Sequence, residues 1–130
     1  MPSNSKLFLT LGAISAAVSV ALAAVFAHVS GLQPANAAML ASALTQHQLH
    51  SIALLLVGVL MLRAAPSRWL AASGWLFAAG IVLFSFNIYA RGLAGFDALR
   101  ALAPWGGTAF ILGWLCLAVE AMRLRIDSAT

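Results

Sequence analysis

The chain has 130 residues, of which 63% are hydrophobic and only 8% are charged, and its mean hydropathy is +0.99. Soluble domains are about 45–50% apolar and about 25% charged, so this composition excludes a soluble globular domain and predicts an integral membrane protein. The net charge of +4 comes from seven Lys and Arg residues scattered along the chain, without the basic stripe typical of nucleic-acid-binding proteins. The single cysteine, Cys116, excludes an intrachain disulfide.

Four apolar stretches follow one another along the chain, and each is long enough to cross a hydrocarbon core of about 30 Å as a helix. The predicted spans are residues 7–29, 39–62, 69–90 and 101–122. They lack the alternation of transmembrane barrel strands, and the short links between them make neighbouring helices antiparallel. The sequence therefore predicts a single all-α domain over residues 1–130, an integral membrane protein built as a four-helix transmembrane up-down-up-down bundle in the lipid bilayer.

The distribution of basic residues predicts the orientation of the bundle. Five of them lie at the end that carries both chain termini, and two lie at the opposite end, where Asp97 offsets them in part. Because Lys and Arg accumulate on the cytoplasmic side of membrane proteins, we expect both termini in the cytoplasm. The five residues at the terminal end are Lys6, Arg63, Arg68, Arg123 and Arg125, and the two opposite are Arg91 and Arg100.

The first span also has some features of a cleavable secretory signal. Lys6 precedes an apolar run, and Ala35-Asn36-Ala37 follows it as a small-residue cleavage motif. The apolar run is about 23 residues long, however, whereas the core of a signal peptide usually has about 7–15. The length favours an uncleaved first transmembrane helix.

Polar side chains inside the spans are the candidates for a functional site, because such groups are costly in hydrocarbon. At a rise of about 1.5 Å per residue, His28, His50, Ser85 and Gly106 lie about 20–33 Å from the cytoplasmic boundary. The sequence therefore predicts that the first three and the Gly106-Gly107 backbone meet in one small pocket in the outer half of the bundle. The predicted ligand or pocket residues are His28, Gln46, His47, His50, Ser85, Asn87, Tyr89, Gly106, Gly107 and Thr108.

Helical spacing indicates which of these residues are neighbours. Gln46 and His50 are four residues apart and share a helix face, which His47 can also share at a spacing of three. The paired glycines allow close approach of a neighbouring helix or a ligand. The expected hydrogen-bond partners of the histidines are Ser85, Asn87 and Thr108.

Three interpretations of His28 and His50 are open. They form structural hydrogen bonds between helices, they ligate a haem or a transition metal, or they line a proton or substrate path. The metal hypothesis lacks the third or fourth ligand that a tetrahedral site requires. The sequence also has no nucleophile with an adjacent base, no glycine-rich phosphate loop and no paired carboxylates, so it indicates no catalytic site.

Two further patterns favour helix packing. Small residues recur every four positions in the first span, from Ser15 through Ser19 to Ala27, and Gly12 begins a second row beside them. Such a ridge suits close helix contact within the bundle, with a dimer face as the alternative. The phenylalanines at positions 77, 84, 86 and 110 are interpreted as core or lipid-facing side chains rather than as a cofactor pocket.

Four segments carry a family resemblance. The most specific is residues 103–114, with the sequence Ala-Pro-Trp-Gly-Gly-Thr-Ala-Phe-Ile-Leu-Gly-Trp. The others are residues 21–28, the segment from His50 to Leu55, and Leu83-Phe84-Ser85 followed by Tyr89. Together they resemble the YgdD-like family of small bacterial membrane proteins, domain-of-unknown-function family 423. The resemblance implies a four-helix protein of the bacterial inner membrane, and it implies no reaction.

The chain departs from the family pattern at several of these segments. Ala23 and Phe26 stand where the family has glycines, Phe86 stands where it has a small residue, and Gln46-His47 replaces its Tyr-Gln. A site common to the family would therefore have altered walls in this member.

Three functional hypotheses follow. The first is a non-enzymatic protein, either an accessory or packing subunit for a membrane-protein partner or a binder of a small lipophilic ligand. The second is a haem- or metal-binding protein that uses His28 and His50, with His47 as a further ligand. The third is a small transporter or channel, which would be a homo-oligomer because four helices enclose only a narrow interior. A visible spectrum and metal content distinguish the first two, and liposome flux tests the third.

Overall fold

The structure is a computed structural model that describes residues 2–124, and it is helical throughout its length apart from short links. A π-helical segment and a 3-10 turn interrupt the α-helices. The elements in chain order are α1 (Pro2–His28), α2 (Pro34–Arg63), α3 (Arg68–Gly80), the π segment (Ile81–Phe86), α4 (Asn87–Ala94), the 3-10 turn (Arg100–Leu102) and α5 (Ala103–Arg123). Since α3, the π segment and α4 are continuous, they form one span.

Four helices of the described chain are long and apolar enough to cross a membrane, which confirms the predicted number. They are Asn4–His28, Pro34–Arg63, Arg68–Ala94 and Arg100–Arg123. The second begins five residues before the predicted boundary, because Pro34 occupies the first turn, where a missing N–H costs nothing. The third continues to Ala94 and ends at Gly95, whose left-handed φ of 67° suits glycine. The Ala35-Asn36-Ala37 motif lies inside α2.

The helices pack as two antiparallel hairpins joined along one seam. Helix α1 packs on α2, α3 packs on α5, and α2 contacts α3, the π segment and α4. Glycines permit the close approach of α1 and α2: a Cβ at Gly12 would lie 2.9 Å from the Leu55 backbone nitrogen, and one at Gly58 would lie 3.0 Å from that of Leu9. The small-residue ridge of α1 therefore serves packing within the bundle at Gly12, as predicted.

The core consists of two apolar clusters along the seam. One contains Phe8, Leu54, Phe77 and Phe110. The other contains Leu40, Ile88 and Tyr89 and lies nearer the end of the bundle that carries the loop between α4 and α5. The large exposed side chains on the outside are mostly aliphatic and aromatic. An apolar exterior around a core with several polar groups is the pattern of a bundle in lipid.

Within residues 2–124, the charged residues lie at the two ends of the bundle. Lys6, Arg63, Arg68 and Arg123 lie at the end that we call the basic end, and Arg125 lies outside the described residues. At the opposite end, which we call the far end, Arg91 and Asp97 form the only ion pair within residues 2–124, with an N–O distance of 3.3 Å.

Candidate functional site

His50 lies at the centre of the candidate site, on α2, and is almost fully buried. Its Nδ1 is 2.7 Å from the backbone oxygen of Gln46, and its Nε2 is 3.0 Å from the indole Nε1 of Trp114. Because a carbonyl oxygen only accepts hydrogen bonds and an indole N–H only donates them, Nδ1 carries the ring proton and Nε2 is the acceptor. The two partners therefore fix His50 as the neutral Nδ1–H tautomer.

Aromatic rings hold the imidazole of His50 in this orientation. Phe110 stacks on it with a centroid distance of 3.6 Å and an interplanar angle of 10°. Phe77 and Trp114 contact it at tilted angles, with centroid distances of 5.4 and 5.9 Å. The ring is consequently fixed by packing as well as by its hydrogen bonds.

A lateral groove of about 320 Å³ opens beside His50, between α2, the π segment and α5. Its lining is mainly apolar and aromatic, with Gln46 as a further polar residue. The lining residues are Gln46, Leu49, His50, Phe84, Gly107, Phe110, Ile111 and Trp114. Among the described residues, the half-buried Gln46 side chain forms no hydrogen bond. A primary amide without a partner is costly where no water is available, so this side chain has unused capacity to bind.

The π segment shapes one wall of the groove. Such a segment adds a residue to the helical turn and is frequent at functional sites. Ser85 in this segment donates a hydrogen bond of 2.9 Å to the carbonyl of Ala43 on α2, and Phe84 contacts Phe110 edge to face. A Cβ at Gly106 would lie only 2.5 Å from the Phe84 backbone nitrogen, so glycine permits α5 to approach the segment.

His47 belongs to a second polar cluster, which links α1, α2 and α4. Its Nε2 is 2.9 Å from the Ser15 hydroxyl, and its Nδ1 is 2.9 Å from the Tyr89 hydroxyl. The hydroxyls of Ser15 and Ser51 are 2.6 Å apart, and Ser51 donates to the backbone oxygen of His47 at 2.7 Å. A hydroxyl has one proton to donate, so making all four contacts together fixes the direction of each.

The resulting chain of donors runs in one direction. Tyr89 donates to Nδ1 of His47, Nε2–H of His47 donates to Ser15, Ser15 donates to Ser51, and Ser51 donates to the backbone. Each donor proton and both ring nitrogens are used within the cluster. We interpret this closed network as structural, because it joins three helices and leaves no imidazole lone pair for a ligand.

The structure brings three of the predicted pocket residues together in the groove, namely Gln46, His50 and Gly107. Ser85 and Gly106 lie behind its wall, in contact with α2 and the π segment respectively. His47 and Tyr89 lie in the separate closed network. Whether the groove binds a ligand stays a prediction.

The prediction that His28 and His50 meet is wrong. Ser15 faces Ser51 on the antiparallel helix α2, so His50, one residue before Ser51, is level with α1 near residue 16. His28 is exposed and lies about 12 residues further along, which is about 18 Å. The sequence prediction took Lys6 and Arg63 as level, although this register places Lys6 beside Leu60, three residues before Arg63, and the difference adds about 5 Å to the separation. The two side chains cannot share one metal or haem iron.

The expected partners of the histidines are also wrong. Asn87 donates from Nδ2 to the Leu99 backbone oxygen at 2.6 Å, and its Oδ1 has no partner among the described residues. Thr108 is exposed and donates to the Pro104 carbonyl in its own helix. Ser85 bonds to the α2 backbone rather than to an imidazole.

Sequence reasoning missed the actual partners, Trp114, Ser15 and Ser51. Trp114 lies well inside the fourth span, far from the interfacial position usual for Trp, and a buried indole N–H needs an acceptor. The position of Trp114 could therefore have indicated that it donates a hydrogen bond inside the bundle. Ser15 and Ser51 were visible as polar residues within apolar runs, but serines that bond their own helix are equally compatible with that pattern.

The metal hypothesis finds little further support in the geometry. Within residues 2–124, no group of three or more His, Cys, Asp or Glu side chains converges on one point. His50 has the Nδ1–H to carbonyl bond typical of metal-ligating histidines, but the indole of Trp114 occupies the Nε2 position.

Comparison with known proteins identifies the family. The family described as "Protein of unknown function (DUF423)" matches residues 9–107, about three quarters of the chain. The chain is a member of the DUF423 family. This confirms the family resemblance. The matched range contains His50 and the hydrogen-bonded network of His47, whereas Trp114, the partner of His50, lies beyond it.

Several membrane proteins are similar to this DUF423 member over nearly their whole length. The UPF0382 membrane protein YwdK of Bacillus subtilis is 34% identical over 120 residues, covering 91% of this chain and 98% of the relative. A UPF0382 membrane protein of Haemophilus influenzae is 37% identical, covering 91% and 95%. The UPF0382 membrane protein SAB0533 of Staphylococcus aureus is 34% identical, covering 91% and 97%. No solved structure matches the chain.

Proposed function

We propose that this DUF423 protein is a non-enzymatic membrane protein that binds one lipophilic molecule in the lateral groove, with the polar end of the molecule at Gln46 and His50. The observation that carries the proposal is Gln46, which lines the groove and whose side-chain amide forms no hydrogen bond among the described residues. A ligand that satisfies this amide removes the cost of leaving it unpaired.

The depth of Gln46 makes that cost large. The residue lies 12 positions after Pro34 and 17 before Arg63, which is about 18 and 26 Å along α2. A helix of 30 residues is about 45 Å long and extends beyond a hydrocarbon core of about 30 Å at both ends. The amide is therefore within the hydrocarbon, where the groove is open to lipid-soluble molecules rather than to water.

The size and lining of the groove fit a small apolar ligand. A volume of about 320 Å³ lies at the lower end of the range of about 300–1,000 Å³ for small-molecule sites. Apolar walls with one or two polar groups at the floor are typical of such sites. The groove contains no pair of nucleophile and general base, which supports a binding role over a catalytic one.

Position 107 offers a direct test, because a Cβ there would contact no atom within 4 Å. We would label the purified protein in detergent with a long-chain alcohol carrying a diazirine on its alkyl chain, and map the labelled peptides by mass spectrometry. We expect labels on the groove residues Leu49 and Ile111. Gly107→Leu, whose side chain extends into the groove, should reduce this labelling at least tenfold, whereas Gly107→Ala should not.

Two results would overturn the proposal. One is labelling spread evenly over lipid-facing positions such as Val20 and Leu115, which are also exposed. The other is groove labelling that Gly107→Leu leaves unchanged although the variant folds like the parent.

We propose that the protein lies in the bacterial inner membrane, as the family resemblance implies, with both termini in the cytoplasm, which the distribution of basic residues supports. Four basic residues of the described chain lie at the basic end and two at the far end, where Asp97 pairs with one of them. Fusions of alkaline phosphatase and of green fluorescent protein to the C-terminus test this orientation. Fluorescence without phosphatase activity is expected, and the reverse result would refute a cytoplasmic C-terminus.

A further inference from the structure

We propose that the ligand is a neutral lipophile ending in a hydroxyl group, an alcohol or a phenol, and that this hydroxyl inserts between Nε2 of His50 and the indole N–H of Trp114. The inference rests on the proposed function, since it names the chemical class of the molecule in the same groove. It follows from the hydrogen-bonding capacities of three groups that line the groove: Gln46, His50 and Trp114.

The imidazole accepts a hydrogen bond at the groove and cannot donate one there. Its single ring proton is on Nδ1 and is committed to the Gln46 carbonyl at 2.7 Å within the same helix. The lone pair of Nε2 points towards α5, where Trp114 now donates to it at 3.0 Å. A ligand that bonds Nε2 must therefore bring a donor, which excludes ethers, esters and ketones from this position.

The other two groups match the oxygen of the same hydroxyl. A hydroxyl donates once and accepts up to twice. Inserted between the two rings, it donates to Nε2 of His50 and accepts from the Trp114 N–H, and its second lone pair accepts from the Gln46 amide. Insertion thus replaces the existing His50–Trp114 bond without leaving either partner unsatisfied, and it gives the Gln46 amide, which lacks a partner, one hydrogen bond.

Trp114 is the group that can move to admit the hydroxyl. Its side chain is 38% exposed and forms part of the groove wall, whereas His50 is 1% exposed and stacked on Phe110. A carboxylate or phosphate is excluded as the ligand head group, because no charged side chain lines the groove and an unpaired charge in hydrocarbon is costly. The ligand is consequently neutral.

The test uses tryptophan fluorescence in detergent micelles. In the full chain with Trp69, Trp75 and Trp105 replaced by Phe, Trp114 is the only indole, and a brominated long-chain alcohol quenches it on contact. The comparison probe is the methyl ether of the same alcohol, which cannot donate. A second single-tryptophan protein that keeps the exposed Trp105 instead measures quenching from partition into the micelle alone.

We expect the alcohol to quench Trp114 at a concentration at least about tenfold lower than the ether, because an ether leaves Nε2 without a donor. Gln46→Leu should reduce the affinity for the alcohol several-fold, because it removes the donor to the second lone pair of the hydroxyl oxygen. At Trp105 the two probes should quench alike.

The outcomes separate the inference from the proposed function. Equal quenching of Trp114 by both probes, above the Trp105 background and abolished by Gly107→Leu, would overturn the hydroxyl inference and leave the binding groove intact. An affinity for the alcohol that Gln46→Leu leaves unchanged would overturn the assigned role of the amide. Quenching of Trp114 no greater than that of Trp105 by either probe would overturn the proposed function itself.

Discussion

Two adjacent glycines in α5 provide a test of the packing against the π segment. A Cβ at Gly106 would lie 2.5 Å from the backbone nitrogen of Phe84 and 2.8 Å from the carbonyl carbon of Leu83, whereas a Cβ at Gly107 would meet nothing within 4 Å. Ordinary carbon contacts begin at about 3.5 Å, so Gly106→Ala requires the two segments to separate by about 1 Å. The obstacle is backbone, which cannot rotate aside.

The expected cost follows from the comparison of the two alanine variants. Alanine gains up to about 1 kcal/mol over glycine in a helix, and this gain applies to both positions, so it cancels in the difference. The remaining overpacking cost is about 1–3 kcal/mol. Gly106→Ala should therefore have a free energy of unfolding lower by that amount than Gly107→Ala.

The measurement is unfolding in mixed micelles, with the mole fraction of sodium dodecyl sulfate as the denaturant and circular dichroism as the signal. Gly107→Ala should unfold at or slightly above the parent midpoint. Equal midpoints for the two variants, or a lower one for Gly107→Ala, would refute the close contact between α5 and the π segment.

Three further substitutions test the polar contacts by the same unfolding assay. Ser85→Ala removes the donor to the α2 backbone and should lower the free energy of unfolding by about 0.6 kcal/mol, the typical value for hydrogen bonds between membrane helices. The control, Thr108→Val, loses only a bond within its own helix and should lower it by less. Tyr89→Phe removes the donor to Nδ1 of the buried His47 and should cost about 1–3 kcal/mol; an unchanged midpoint would contradict the closed network. Asp97→Asn breaks an exposed ion pair and should change stability by less than about 0.5 kcal/mol, and a larger loss would mean that the far-end loop supports the bundle.

The sequence alone determined the number of helices, their approximate limits and the charges at each end. These properties follow from local chemistry: a chain in hydrocarbon must satisfy its own backbone groups, so each long apolar run becomes a helix, and polar turn residues separate the runs. The same logic predicted that Gln46 and His50 share a face, since they are four residues apart on one helix. Proline in the first turn of α2 extended that helix beyond its apolar run.

Only the tertiary structure decided which polar residues meet. A helix that is apolar on all sides has no amphipathic stripe to mark its inward face, so the sequence could not assign the rotation of α1 or the register of α1 against α2. Close contact at Gly12 and Gly58 sets that register, and it places Ser15 rather than His28 beside an imidazole of α2, that of His47. Likewise, packing of α5 on α3 brings Trp114 to His50 across 64 residues of sequence. The sequence did not predict this contact, because a hydrogen bond between helices depends on rotation and register that no single helix determines by itself.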